Sequence, residues 1–226
     1  MEQIQNNRVI TDLYRENAQF PGIALDGSDV YLCWQRFVDR HDSLMASCRR
    51  GDEVVWEREI SDGGEVLHPV ILAHGGAIWY AWSEYARENW RILARCYRDG
   101  QWGEVLTVAS GEALFFPRLF TWQGKLHVIW TEQHKGSAAA VLCPLTEAGP
   151  GAAETVSVVG EAYRAGAAEG GDGNLYVAYD GFDGKQYKLF ARARTAAGWS
   201  EEIVVSQGED WASTPWIAAK PDGAVV

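Results

Sequence analysis

The sequence predicts an all-β fold assembled from one supersecondary unit repeated about every 48 residues. Composition is the first sign: among 226 residues there are 11 Trp, 9 Tyr and 7 Phe, with 24 Gly against 7 Pro, a balance that favours many short strands joined by glycine turns. The second is spacing. Four apolar runs end on Trp34, Trp82, Trp130 and Tyr179, separated by 48, 48 and 49 residues. The third is punctuation, because each run follows a glycine turn at Gly27, Gly75-Gly76, Gly124 or Gly173.

Other landmarks keep the period and define the strands in order. A first strand opens at Pro21, Pro69, Pro117 and Pro215, with Arg164 standing where a further proline would fall. The second is the aromatic-anchored run, such as Val30 to Trp34 or Ile78 to Trp82. A third carries Cys48, Cys96 and Cys143 at one position, with Ala193 in the fourth copy. One thiol per repeat places them in separate sheets, and no C-x-x-C spacing occurs, so they read as reduced, buried core residues with no metal or other cofactor implied. The fourth strand begins at Trp56, Trp102 and Trp199. Four antiparallel strands in such a period make the blade of a β-propeller. One propeller domain is expected over 1–226, with repeats at 21–68, 69–116, 117–163 and 164–214, a partial blade at 215–226, and 7–13 as a last-blade strand. That set implies a ring of five or more blades, of which this chain is a fragment or which another chain completes. An open edge on the last blade would favour self-association.

The order of proline, apolar strand, glycine turn, apolar-Trp, Arg-rich strand and Gly-x-Trp resembles the bacterial neuraminidase-type (sialidase-like) repeat propellers over nearly the whole chain. The resemblance implies architecture more than activity, since such propellers include enzymes, lectins and proteins without known chemistry. A sialidase-like site would imply three arginines, a tyrosine nucleophile with a glutamate partner, and an acid/base aspartate. The nearest approach to that family's Arg-Ile-Pro is Phe116-Pro117-Arg118-Leu119, where the order differs, and its Ser-x-Asp-x-Gly-x-x-Trp turn is missing.

Charge narrows the partners. With 20 Lys+Arg against 31 Asp+Glu the formal charge is −11, which repels the phosphate backbone and argues against nucleic acid. No apolar run reaches the roughly 18 residues of a membrane span, and the polar start from Met1 to Asn7 lacks the features of a signal peptide, which points to the cytoplasm.

In a propeller, the loops leading into first strands and those joining second to third strands share one face. The former carry a recurring carboxylate, Glu16, Glu65, Glu112, Glu161 and Glu209, which reads better as a turn cap than as a cation ring. Phe20, His68, Phe116, Tyr163 and Thr214 stand before the proline position. The second-to-third loops break the symmetry with Arg36, then Glu84, Tyr85 and Trp90, then Glu132, then Asp180. The candidate ligand-binding set is Arg36, His68, Glu84, Tyr85, Trp90, Phe116, Glu132, Asp180 and Trp211. Aromatic faces beside polar groups suit a glycan, peptide or protein partner, and the expected function is a non-catalytic binding propeller. The alternative is a sialidase-like or other propeller glycoside hydrolase, with Glu84 and Glu132 as acid and base.

Overall fold

The computed structural model describes residues 17–61, 63–208, 210–220 and 222–226, and these contain nineteen strands and no helix. They form four antiparallel sheets. Blade 1 is β1 (Asn17–Asp26), β2 (Asp29–Val38), β3 (His41–Arg50) and β4 (Glu53–Glu59), in that order. Blade 2 is β5 (Glu65–His74), β6 (Ala77–Ala86) and β7 (Asn89–Arg98), its fourth place shared by β8 (Gln101–Trp102) and β9 (Leu106–Gly111). Blade 3 repeats this with β10 (Ala113–Trp122), β11 (Lys125–His134), β12 (Ser137–Thr146), β13 (Gly149–Pro150) and β14 (Glu154–Thr155). Blade 4 comprises β15 (Ala162–Glu169), β16 (Leu175–Phe182), β17 (Tyr187–Thr195), β18 (Gly198–Trp199) and β19 (Ile203–Val204).

The core lies between blades. Tyr31, Leu44 and Ile60 of the first segment pack on Tyr80, Trp82 and Leu93 of blade 2, and Ile129, Leu142 and Val156 of blade 3 on Leu175, Tyr179 and Phe190 of blade 4. A second strand is therefore covered on both faces, which is why Ala77 to Glu84 is buried without alternation. An aromatic buried to this depth removes about 150–250 Å² from water, on the order of 4–6 kcal/mol as an upper bound before conformational entropy.

Each first strand carries a register shift at the same place: between Gln19 and Gly22, Leu67 and Val70, Phe115 and Arg118, and Tyr163 and Gly166. The bulge holds Pro21, Pro69 and Pro117, which lack the N–H that a regular ladder would use. The residue before it adopts a left-handed conformation: φ is 51° at Phe20, 53° at His68, 55° at Phe116, 44° at Arg164 and 58° at Thr214. This corrects the frame of the fourth repeat. Ala165, not Arg164, occupies the proline position, and Arg164 is the counterpart of Phe20, His68 and Phe116.

Two further expectations shift. Cys48 and Cys96 face Tyr31 and Trp79, each three residues before its Trp anchor, whereas Cys143 faces Val128, two before Trp130. Cys143 thus lies on the opposite face of its sheet and packs with Trp130; all four thiols are free and buried. The second-to-third connections of blades 1, 2 and 3 are tight turns through Asp39-Arg40, Arg87-Glu88 and Lys135-Gly136, all at positive φ, as two-residue hairpins require. Most residues read as loop there are strand.

The C-terminal segment folds back as a hairpin in which Ala218 and Val226 exchange backbone hydrogen bonds of 2.9 Å. Gly171 donates to the Gly223 carbonyl at 2.8 Å, and a Cβ on either glycine would meet the other's backbone within 2.7 Å. The hairpin supplies Thr214, Pro215 and Trp216 as the fifth copy of the bulge position. The proposed last-blade strand at 7–13 lies outside the described residues.

Candidate functional site

The bulges converge on an axial cavity of about 300 Å³ to which Phe20, His68, Phe116, Arg164 and Thr214 each contribute from a different repeat. The rings pack in sequence, edge-on between Phe20 and His68 with centroids 4.9 Å apart and tilted between His68 and Phe116 at 4.2 Å, with the Arg164 guanidinium 5.9 Å from Phe116. Burial drives the His68 pKa down to about 4, so this imidazole is neutral at pH 7. Its Nδ1 is buried without a hydrogen-bond partner.

Arg164 is held from behind. Asp180, wholly buried on β16, accepts from Arg164 Nε at 3.0 Å and from its Nη2. The Arg164 backbone N–H donates to Thr131 Oγ1 at 3.1 Å, and the Thr214 N–H points at Asp180 Oδ1 at 3.4 Å. The polar residue following each aromatic anchor is buried in every repeat, as Gln35, Ser83, Thr131 and Asp180, and the last two tie onto the next repeat's bulge. Around Arg164 stands an aromatic group. Gln133 Nε2 donates to the Tyr163 hydroxyl at 3.3 Å, and Tyr187 lies 6.2 Å from Tyr163, 5.6 Å from Phe182 and 5.5 Å from Trp211. Trp211 is 71% exposed and offers a free face. Burial raises the Tyr163 hydroxyl above its ordinary range.

Of the residues singled out from sequence, His68 and Phe116 meet in the axial cavity, Asp180 joins them through Arg164, and Trp211 is linked to the same region through Tyr187. The others lie elsewhere. Tyr85 and Trp90 pack at a tilt with centroids 5.3 Å apart, and Trp90 meets Phe115 edge-on at 4.6 Å, as a separate aromatic group. Glu84 is buried and held by Arg91 at 2.5 Å and by the Trp82 indole at 3.1 Å, which makes it a structural anion and not an acid open to substrate. Glu132 lines a different recess of about 520 Å³ with His134 and Lys135, so Glu84 and Glu132 do not face one another across a common site. Arg36 pairs with Glu59 at 2.9 Å. Among the recurring carboxylates, Glu112 caps the β11–β12 turn by accepting from the Lys135 N–H at 3.2 Å, while Glu16 and Glu209 lie outside the described residues. The sequence reading missed Tyr187 and the role of Arg164; the pre-proline spacing would have found the latter, had the frame been set on Ala165.

A further cavity of about 800 Å³ separates blade 4 from the C-terminal hairpin; it is walled by apolar residues such as Leu189, Phe190, Val205 and Ile217, and its Asp172 and Tyr176 bond one another at 2.8 Å. It is an inter-blade cleft without converging free polar groups. Among the described residues, no group of three His, Cys, Asp or Glu is arranged to hold a metal ion.

No protein-family model matches the chain, and no curated protein matches its sequence. Solved structures do. An α-L-arabinofuranosidase from Lactobacillus brevis superposes with a TM-score of 0.59 at 11% identity, over 92% of this chain and 81% of that one. A family 117 glycoside hydrolase from Zobellia galactanivorans gives 0.55 at 10% identity, over 85% and 71%. A puromycin-hydrolysing peptidase from Mycobacterium tuberculosis gives 0.57 at 16% identity, over 90% of this chain and 32% of that one. The expectation of a non-catalytic binding propeller is corrected by this company, since the similar structures are largely glycoside hydrolases. At these identities the likeness establishes architecture, and on that ground the chain is a β-propeller.

Proposed function

We propose that the chain is a propeller glycoside hydrolase that seats a sugar ring against the aromatic group of blade 4, at the mouth of the axial cavity. The observation that carries this reading is the pairing of a fixed guanidinium with flat apolar faces. Arg164, oriented by the buried Asp180, presents donors for hydroxyl oxygens, while Tyr187 and the exposed Trp211 offer surfaces for the C–H face of a sugar. The arabinofuranosidase among the similar structures supports a furanoside as the first substrate to try.

Glycosidic cleavage takes two carboxyl groups on opposite sides of the bond, about 5–10 Å apart. Two acidic residues adjoin the aromatic group along the chain. Glu161, half-buried, accepts the Phe182 N–H at its carbonyl at 3.0 Å, and the exposed Asp210 precedes Trp211, whose neighbour Ala212 bonds the Tyr187 carbonyl at 3.0 Å. In this reading Glu161 is the proton donor and Asp210 the base or nucleophile. Asp180 touches no substrate and is a positioning residue. The finer sialidase-type reading is less well supported: Arg118 and Arg164 give the axial cavity two guanidinium groups where three are needed, and burial moves the Tyr163 hydroxyl away from the ionised form a nucleophile requires.

The test is hydrolysis of a panel of p-nitrophenyl glycosides, furanosides and a sialoside included. Glu161→Gln and Asp210→Asn should each lower turnover by roughly 10²–10⁴ with the fold intact. Failure of the folded wild-type chain to turn over any of them, or full activity in both variants, would reject the assignment.

A further inference from the structure

One pair of positions recurs in all four blades and is filled differently in blade 3. Two residues past each aromatic anchor, the second strand faces the third in register: Arg36 opposite Ser43, Glu84 opposite Arg91, Glu132 opposite Ala139 and Gly181 opposite Lys188. Blades 1, 2 and 4 each place a cation here, and each cation is held. Glu59 holds Arg36 at 2.9 Å, Glu84 holds Arg91 at 2.5 Å, and the Gly208 carbonyl accepts from the buried Lys188 ammonium. Blade 3 places a carboxylate and no cation. Glu132 is half-buried and has no hydrogen-bond or ion-pair partner among the described residues.

Blade 2 shows what a glutamate at this position does beside a guanidinium. Glu84 takes the Trp82 indole N–H on one oxygen at 3.1 Å and Arg91 on the other. Blade 3 has the same indole two residues before its glutamate. Trp130 is 1% exposed and its Nε1 is buried without a partner, a state that buried indoles rarely keep. What blade 3 lacks is the guanidinium. Ala138 and Ala139 stand where blade 2 has Trp90 and Arg91, and beside Glu132 lies the recess of about 520 Å³. Ala139, Val141 and Ala153 give it an apolar wall suited to an alkyl stem, and Ser137 and Thr155 bring hydroxyls that can accept further N–H groups. Two basic residues line it as well. His134 is already paired with Glu112 at 3.1 Å, and Lys135 is exposed at the β11–β12 turn.

We propose that the blade 3 recess is a binding site for a guanidinium group on an alkyl stem, with Glu132 as its counter-ion. The ligand's planar fork takes the place that Arg91 holds beside Glu84, and it leaves one Glu132 oxygen for the Trp130 N–H. A free guanidino amine and the arginine side chain of a peptide share this chemistry. The proposal stands independently of the hydrolase reading, because it uses neither Glu161 nor Asp210 and needs no turnover.

The experiment uses the full chain and follows tryptophan emission and thermal midpoint while titrating agmatine, Nα-acetyl-arginine methylamide or n-butylamine at matched ionic strength. Trp130 is the reporter beside the site. We expect a saturable emission change and a rise in midpoint with agmatine or the blocked arginine; tighter binding of the first identifies a free guanidino amine as the source, and of the second a peptide. Butylamine, whose ammonium lacks the fork, should bind at least threefold more weakly. Glu132→Gln should weaken the response at least tenfold, while Glu147→Gln, whose partner is Arg98, leaves it unchanged. Ala139→Arg builds the blade 2 pair into blade 3 and should abolish the response while raising the midpoint of the ligand-free chain, and it decides the matter if the glutamine variant does not fold. No saturable response to either guanidine, an equal response to butylamine, or a response that folded Glu132→Gln or Ala139→Arg retains in full overturns the proposal.

Discussion

The Arg164–Asp180 pair should behave as a coupled unit whose two halves are unequal. Asp180 has no exposed side-chain surface, whereas the Arg164 side chain retains 32% of its own. Removing one partner of a fully buried pair costs about 3–5 kcal/mol, because the survivor's charge is left uncompensated. Arg164→Met strands the fully buried carboxylate and should fall in that range. Asp180→Asn strands the guanidinium instead, which water in the cavity reaches, and the amide oxygen can still accept from Arg164 Nε and the Thr214 N–H; about 2 kcal/mol is the expectation. For a chain of this length each kcal/mol lowers the thermal midpoint by about 2–4 °C, so the asparagine variant should melt about 4–8 °C lower. The double variant should cost at least about 1.5 kcal/mol less than the sum of the singles. The assay is urea unfolding followed by circular dichroism on all four proteins. Additive singles, or an Asp180→Asn variant less stable than Arg164→Met, would refute the reasoning.

Three other expectations follow from buried groups and close contacts. His68 has a folded pKa of about 4 against an unperturbed 6.5, so between those values the unfolded chain binds the extra proton. Stability therefore falls as pH drops from 6.5 towards 4, by up to about 3 kcal/mol; His68→Phe should flatten that slope in acid titrations, and an unchanged slope would contradict it. Burial raises the Cys33 thiol to about 12 and the Cys143 thiol to about 11. An aromatic disulfide reagent at pH 8 should leave both unmodified in the native protein and modify them after unfolding in guanidinium. Gly171→Ala would drive a methyl into the Gly223 backbone and should release the C-terminal hairpin, seen as faster hydrogen exchange at the Ala218 and Val226 amides that bond one another's carbonyls, with the melt of the four blades little changed.

The period was legible because each aromatic anchor fills a gap between blades, a demand that recurs once per unit and tolerates little substitution. The frame of the fourth repeat was not, since Ala165 replaces the proline that marks the bulge elsewhere and only the ladder register exposes the shift. Glu84 illustrates a different failure. A glutamate after an apolar run reads as the start of a loop, yet the turn is confined to Arg87 and Glu88 and the ladder continues through Glu84, opposite Val66 and Arg91. Its charge is matched by Arg91, a residue seven positions on, and nothing in the local pattern announces that pairing. The candidate site was half visible. Asp180 stood out as a polar break in the repeat and Trp211 was among the candidate aromatics, but what joins them to the axis is Tyr187 and Arg164, and that convergence depends on a bulge backbone conformation.

The most direct test of the central claim is the ratio of kcat/KM between the wild-type chain and Glu161→Gln on the best p-nitrophenyl furanoside, with both proteins shown to be folded by circular dichroism. A loss of roughly 10²–10⁴, with the thermal midpoint held, is the result this account predicts. Equal values in the two proteins, or no hydrolysis by the wild-type chain of any furanoside, would contradict it.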